Sequence, residues 1–444
     1  MSQRFDCVVI GGGIGGLAAA IRLTMAGLRP LLVEERERTG GRFSSLDVDG
    51  FRISTGAVAI EYGGVLEETF RAVGVPFAIR VPDPAVVFRI GSKDYAFVGG
   101  GWARIFAAFV THGARILAGI RAEIARPAEE AGPSLAEWLS RYTEHPTLHG
   151  MFQALAASIF AVNADEIPCR VFFEHFMNRG GFKRFGFAPA GCLGLVEPLV
   201  RAIRARGGDV WTESRVEQIL VRDGAVVGVG CRRSGRLMEI AVPAVISNAG
   251  PRETLALLAD DAVPFEYRQT VQARAQPAAN VALYFTSARP LVDAPGLVTF
   301  PEARRLSNLA NLGHLCPELT PGHQPLYVAF GVPRPSLGVF DADETVKLMS
   351  EDLAEQLPGF REEARVLAVS VMRGSWPAQR ACAGFDLPQR TPLRGLWHVG
   401  DGVKPFGWGG ASACAESARL AVLGLLEEQS GRVNAAGSDG RQKI

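Results

Sequence analysis

Seven cysteines in 444 residues, odd in number and without a Cys-x-x-Cys pair, are too few and too scattered to staple a fold or to ligate zinc. Reduced thiols in a cytoplasmic setting are the expectation. Charge excess is missing as well, with 47 Lys and Arg against 46 Asp and Glu and a formal net charge of +1. That excludes the basic surplus of a nucleic-acid binder. No apolar run reaches the length of a spanning helix, because charges or glycines interrupt every candidate. The first strand is expected from Phe5 or Asp6, which leaves no room for a signal peptide. A soluble protein, or one resting on a membrane surface, remains. Tyrosine and tryptophan are sparse at six each, against 25 phenylalanines, so the aromatic area carries few hydrogen-bonding handles. The length is enough for two domains with large cores.

Glycine, by contrast, is abundant at 51 residues, and its densest cluster falls near the start, in DCVVIGGGIGGLAAAIRL. Phe5 to Ile10 is a β-branched, apolar run suited to a buried parallel strand, and Leu17 to Met25 is rich in helix formers. Between them Gly11-x-Gly13-x-x-Gly16 has the spacing of a phosphate-binding turn. Its first glycine permits the turn, the second lets backbone approach a pyrophosphate, and the third lets helix pack on strand with its N-terminus toward the anion. Alone the pattern is weak in a glycine-rich chain. The next strand, Arg29 to Val33, ends at Glu34, about 20 residues downstream, where a carboxylate for ribose hydroxyls is expected. Glu35 and Glu37, with Arg36 and Arg38, read on the residues alone as a solvated face.

Thr39-Gly40-Gly41-Arg42 follows, and VEERERTGGR resembles the GG-Arg motif of the flavin amine oxidase and phytoene desaturase superfamily of FAD enzymes. The resemblance continues along nearly the whole chain. Asp49 to Ala57 (DGFRISTGA) is similar to the family's DGFxFDxGP, with Ser54 and Ala57 replacing the usual aspartate and proline. Phe187 to Val229 is similar to its P-x-GG, helix, GG-x-I, V-x-x-I, G-x-V-x-GV stretch, with a hairpin expected at Asp223-Gly224. Ala244 to Pro251 resembles the returning strand and turn. Gly395 to Gly402, a strand ending in GDG, precedes Pro405-Phe406-Gly407-Trp408-Gly409-Gly410 and a helix from about Ala411, and resembles the family's C-terminal flavin motif.

The resemblance implies an α/β fold. A GxGxxG-type, Rossmann-like FAD-binding domain would comprise 1–57, 188–250 and 384–427, with an interleaved α+β substrate domain from 58–187 and 251–383. Residues 428–444 form a polar tail expected to be disordered. FAD would be held by Gly11, Gly13, Ile14, Gly15, Gly16, Glu34, Glu35, Gly41, Arg42, Gly56, Ala57, Val216, Gly400, Asp401, Gly409, Gly410 and Ala411. Within that set the resemblance implies that Val216 meets the adenine and Asp401 the ribityl and phosphate region. The last helix would aim its N-terminus at the flavin N1/C2 edge.

Between the motifs, Gly101 to Ile124 interleaves Ile105, Phe109, Ile116 and Ile120 with Arg104, Arg115 and Arg121. Such a stripe fits a helix packed on its own core, and it also fits peripheral contact with a membrane. Phe152, Phe160, Phe172, Phe173, Phe176, Phe182, Phe185 and Phe187 fall close together and suit a greasy cavity wall as well as a core. Phe173, Phe176, Phe185 and Trp408 are the substrate-pocket candidates. Glu174, His175, Lys183 and Arg184 are polar neighbours, none of which is singled out, so the catalytic residues stay unassigned. His145 and His149 have a metal-ligand spacing, but Pro146 stands between them and no third ligand accompanies them. No metal is expected.

No second GxGxxG follows a strand and no redox Cys pair exists, so electrons are expected to pass from an organic substrate to FAD and on to oxygen or a quinone. The resemblance implies desaturation of a long hydrophobic substrate, an isoprenoid, carotenoid or acyl lipid chain, by hydride transfer to flavin N5. The chain is somewhat short for a carotenoid desaturase, and GDGVKPFGWGG departs from that group's motif. One alternative is a flavin amine oxidase, since Trp408 lies about where that branch places an aromatic ring beside the flavin. The other is a flavin-free escort protein for prenylated partners, against which the intact motifs speak.

Overall fold

The computed structural model describes residues 5–96, 113–126, 132–178 and 184–439. Five short strands form a parallel sheet: β1 (Cys7–Ile10), β2 (Pro30–Val33), β3 (Asp209–Trp211), β4 (Val245–Ser247) and β5 (Leu396–His398), in the order β5-β4-β1-β2-β3. Five helices matter for the site: α1 (Ile14–Met25), α2 (Pro146–Phe160), α3 (Cys169–Asn178), α4 (Gly191–Ala205) and α5 (Gly410–Asp439). The central strands β1 and β2 are apolar throughout because both faces of the sheet are covered. Cys7, Val9, Leu32, Ile246 and Trp397 pack into one core with α1, α4 and α5. Val8, Ile10, Leu31, Val33, Val245 and Leu396 face the opposite core, under the antiparallel strands Ser214–Arg222, Ala225–Arg233 and Arg236–Ala241. Asp223 and Gly224, both at positive φ, close the hairpin between the first two of these strands.

A second, seven-stranded sheet runs Arg365–Met372, Asn280–Thr286, Leu326–Gly331, Leu306–Asn311, Leu297–Thr299, Val86–Ile90 and Lys93–Ala96. Beside it a helical core buries Trp138, Phe152, Phe160, Phe172, Phe173 and Phe176. Ile116 and Ile120 are part of that core while Arg115 and Arg121 point outward. The two isoleucines of the amphipathic stripe are therefore engaged by the protein itself; residues 101–112 lie outside the described ones.

Two stretches join the parallel sheet although the sequence boundaries assign them to the other domain. Leu66, Phe70 and Val73, from and just after the helix Val65–Ala72, enter the core of α1 and α5. Leu255, Leu258 and Val271 enter the core on the far face. The first is an amphipathic helix whose apolar side covers part of the sheet, while the second reaches it through single apolar residues of a largely polar stretch, a choice that periodicity does not reveal. At the C-terminus α5 runs through residues 428–439, which composition assigns to a disordered tail. Glu428, the first of them, accepts from Gly395 N–H and Trp397 Nε1, both at 3.2 Å, and ties the helix to β5. Residues 440–444 lie outside the described ones.

Among the described residues no helix is long and apolar enough to cross a membrane. All seven cysteines are free thiols.

His398 on β5 is buried, and burial pushes its pKa down to about 4 from the ordinary 6.5. The folded protein therefore binds this proton less readily than the unfolded chain. Stability from this group is complete above about pH 6.5 and is lost as pH falls toward 4, by roughly 3 kcal/mol. Thermal melts of the wild type and His398→Gln across that range should converge on acidification. Parallel curves would show that His398 is not responsible.

Candidate cofactor and active site

The turn after β1 is built for close approach. Gly13 is the N-cap of α1, and no described side chain caps the helix, so its first-turn N–H groups are left for an anion. A Cβ on Gly16 would stand 2.1 Å from the Gly11 carbonyl oxygen. Asn248, just after β4, sits at the centre of this turn: a Cβ on Gly13, Gly15 or Gly400 would lie 2.6 to 2.7 Å from its amide. Sequence reading missed Asn248 as a site residue. Its only signal is an amide-bearing residue directly after a buried strand in VISNAG. The amide gathers the glycines of the first motif and the GDG turn around one side chain.

Glu34, at the end of β2, is buried and accepts from Gly12 N–H at 2.7 Å and Arg36 N–H at 2.9 Å. Burial pushes its carboxyl pKa up, while the two N–H donors pull it back. Its carbonyl receives Ser214 N–H at 2.9 Å, which brings Val216, two residues on and itself buried, to the same end of the site. Glu35 turns away: its side chain is 60% exposed and faces Arg215 at 4.0 Å.

Arg42 and Asp401, separated by most of the chain, meet as a fork. Arg42 NH1 and NH2 donate to the two Asp401 carboxylate oxygens at 2.6 and 2.8 Å, and NH1 also reaches the carbonyls of Pro377 and Ala378 at 3.0 and 2.8 Å. Burial alone would raise the Asp401 pKa, yet Arg42, aided by Arg380 and Lys404, holds it far below the carboxylate range. Burial works against the Arg42 charge too, and Asp401 more than restores it. Arg42 thus acts by holding Asp401 in place as well as by its own charge. Ala57 N–H donates to the Arg42 carbonyl at 2.9 Å, which seats Gly56 and Ala57 behind it. Lys404, 2% exposed, fixes the following loop through Asp386 at 2.5 Å and the carbonyls of Ala381 and Asp401.

The loop from Pro405 to Gly409 leads into α5 and meets an aromatic corner of α2 and α3. A Cβ on Gly409 would meet Ile159 and Phe160 at 3.5 and 3.6 Å, ordinary van der Waals contact, which places the loop against the end of α2. His175, buried, has Nδ1 3.1 Å from the Gly407 carbonyl and its ring between Phe160 and Phe176, with centroids 5.2 and 5.7 Å away. Phe176 therefore belongs to the corner beside the loop. Phe173 does not: it packs edge-on against Trp138 at 4.5 Å inside the helical core. Phe185 is also elsewhere, clustered with Phe51, Phe187 and Tyr284. Trp408 is half-buried in the loop itself. Glu174 abuts Gly407 and Arg184 is exposed, while Phe182 and Lys183 lie outside the described residues. His149 Nε2 is engaged with the Thr143 carbonyl at 2.8 Å.

One titratable group had no sequence signal. Glu61, on a two-residue strand paired with Phe185–Gly186, has its carboxyl pKa raised by burial, with Ser412 in the first turn of α5 as hydrogen-bond partner.

A phosphate turn after the first strand of a parallel sheet, and a second helix N-terminus after its last strand, mark the class as a dinucleotide-dependent oxidoreductase. The family follows from comparison with known proteins. A model of flavin containing amine oxidoreductases matches residues 14–424, and the chain belongs to that family. The 15-cis-phytoene desaturase of Arabidopsis thaliana is 23% identical over 91% of this chain and 76% of its own. The zeta-carotene-forming phytoene desaturase of Myxococcus xanthus is 48% identical, over only 16% of this chain and 14% of its own. Among solved structures, an oxidoreductase from Methanosarcina mazei superposes with a TM-score of 0.82 at 26% identity, covering 95% of this chain and all of that one. A putrescine oxidase has the same fold, with a TM-score of 0.71 at 16% identity over 96% and 99% of the two chains. FAD is the cofactor. The uncapped α1 terminus, the glycines with no room for a Cβ, and the buried Glu34 and Asp401 fit its diphosphate, ribose and ribityl groups.

Proposed function

We propose that this flavin oxidoreductase is a dehydrogenase that desaturates a long, largely apolar substrate, an isoprenoid, carotenoid or acyl chain. The observation that carries the reading is the aromatic corner of Phe160, His175 and Phe176 against Gly407 to Gly409, where the chain turns into α5. Bound FAD would supply the hydride acceptor, with oxygen or a quinone taking the electrons onward. The chain's own residues keep water away with phenylalanine rings, hold Asp401 through Arg42, and place the N-terminal dipole of α5 at the site. Glu61 is a carboxyl at that helix end able to hold a proton. The similarity to phytoene desaturases supports an apolar substrate. Anaerobic incubation with polyene or lipid extracts should bleach the flavin. A flavin that stays oxidised with all of them would end this reading.

The second reading is amine oxidation, favoured by half-buried Trp408 in the loop before α5. Rapid flavin reduction by simple or aromatic amines, with hydrogen peroxide released, would select it.

A further inference from the structure

Two buried amides beside this site each have an oxygen with nothing to bond. Asn280 and Gln379 are both 7% exposed, and Asn280 Oδ1 and Gln379 Oε1 have no hydrogen-bond partner among the described residues. Leaving a buried acceptor unpaired is unfavourable, and native structures rarely do so without a role for it.

Backbone pairing fixes where these amides stand. Ala278 N–H donates to the Gln379 carbonyl at 2.9 Å, and Ala378 N–H to the Ala278 carbonyl at 2.8 Å. Asn280 follows two residues later, at the head of the strand Asn280–Thr286. Alternation along the strand puts Asn280, Ala282 and Tyr284 on one side. On that side the Tyr284 hydroxyl is 2.8 Å from Ser54 Oγ, in the segment that leads to Gly56 and Ala57 behind Arg42. Gln379 is flanked by Ala378, whose carbonyl receives Arg42, and by Arg380, whose N–H donates to Asp401 at 3.2 Å. Its own Nε2 points to the Ile159 carbonyl at 3.4 Å, at the end of α2 that touches Gly409. Because the nitrogen of Gln379 is engaged there, the free atom is an acceptor. Gln379 thus lies where the Arg42–Asp401 pair and the aromatic corner converge, and Asn280 is its neighbour on the adjoining strand, two residues beyond the Ala278 that pairs with it.

We infer that Asn280 and Gln379 form an acceptor pair for an N–H or O–H donor carried by a molecule bound at this site. The inference rests on the reading of the site as the meeting place of FAD and an apolar substrate. Two molecules could bring the donor, the flavin ring or the substrate. If it is the substrate, the apolar chain carries a hydroxyl or an amine. Ethers and ionised carboxylates, which offer only acceptors, are rejected by the same pair.

Asn280→Leu and Gln379→Met remove one acceptor each at nearly constant volume. In the holoenzyme, binding of 1-decanol and of decyl methyl ether is read from perturbation of the visible flavin band, alongside FAD affinity and the thermal midpoint. If the substrate supplies the donor, the wild type prefers decanol over the ether by roughly tenfold, and each variant loses that preference with FAD affinity unchanged. If the flavin supplies it, FAD binding weakens by roughly tenfold in each variant, whatever the decyl compounds do. Either result supports the pair. Unchanged FAD affinity and unchanged discrimination, with a raised thermal midpoint, would show that the oxygens are only buried defects and overturn it. Unaltered FAD affinity with no decyl compound bound by any form would overturn the pair and count against the apolar substrate too; binding without discrimination overturns the pair alone. Should a variant not fold, Asn280→Ala and Gln379→Ala give the same readings.

Discussion

Asp401→Ala is expected to purify without FAD and to unfold at a lower temperature than the wild type. The substitution strands Arg42, a guanidinium whose side chain is 22% exposed, opposite an empty place where a bidentate partner stood. Removing one member of a buried pair costs about 3–5 kcal/mol, since the other charge stays desolvated. The carbonyls of Pro377 and Ala378 still receive Arg42, which argues for the lower end of that range. Asp401→Asn keeps the shape and one acceptor but not the charge, and should fall between. The pH dependence has a definite sign. Arg42 holds the folded pKa of Asp401 well below the ordinary 3.8, so the pair's contribution is complete above that value and declines as pH falls through and below it. The gap in melting temperature between wild type and Asp401→Ala should therefore narrow in strong acid. Absorbance of the purified proteins in the visible, and melts at several pH values, measure both effects. Full flavin content in Asp401→Ala would remove the residue from the cofactor site.

Gly16→Ala should be nearly as damaging although it adds a single carbon. That carbon would lie 2.1 Å from the Gly11 carbonyl oxygen and 3.3 Å from its carbon, a backbone group with no alternative rotamer. Relief requires β1 and α1 to part by about an ångström or more, which pulls the helix terminus off the position that receives the diphosphate. A loss of roughly 1–3 kcal/mol from overpacking and a protein largely free of FAD are expected. Gly64→Ala is the control, because an added carbon there meets nothing within 4 Å and φ is negative. Stoichiometric FAD in Gly16→Ala would mean that the turn can open without harm.

The parts of the site written in short spacings were legible before any coordinates. The turn after β1, Glu34 at the end of β2 and the GDG strand each need a glycine or carboxylate at a fixed offset from an apolar run, so local text is enough. Long-range pairings were not legible. Arg42 and Asp401 were each assigned to the cofactor, but nothing in either motif says that one grips the other. Asn248 carries only its position directly after a buried strand, although three glycines depend on its size. The phenylalanines show a further limit: α3 is apolar on more than one side, so periodicity cannot tell Phe176 at the corner from Phe173 in the core. Glu428 shows another long-range pairing, since nothing in its polar surroundings announces its two hydrogen bonds to β5.

The span of 359 residues between Arg42 and Asp401 also sets an order of events in the cell. A ribosome adding roughly 5–20 residues per second delivers Arg42 about 20–70 s before the aspartate that completes the fork. During that interval the nascent chain holds a phosphate turn with no closing partner. If Asp401→Ala loses FAD as expected, cofactor capture is a late step in synthesis, and a truncated product lacking Asp401 should be colourless.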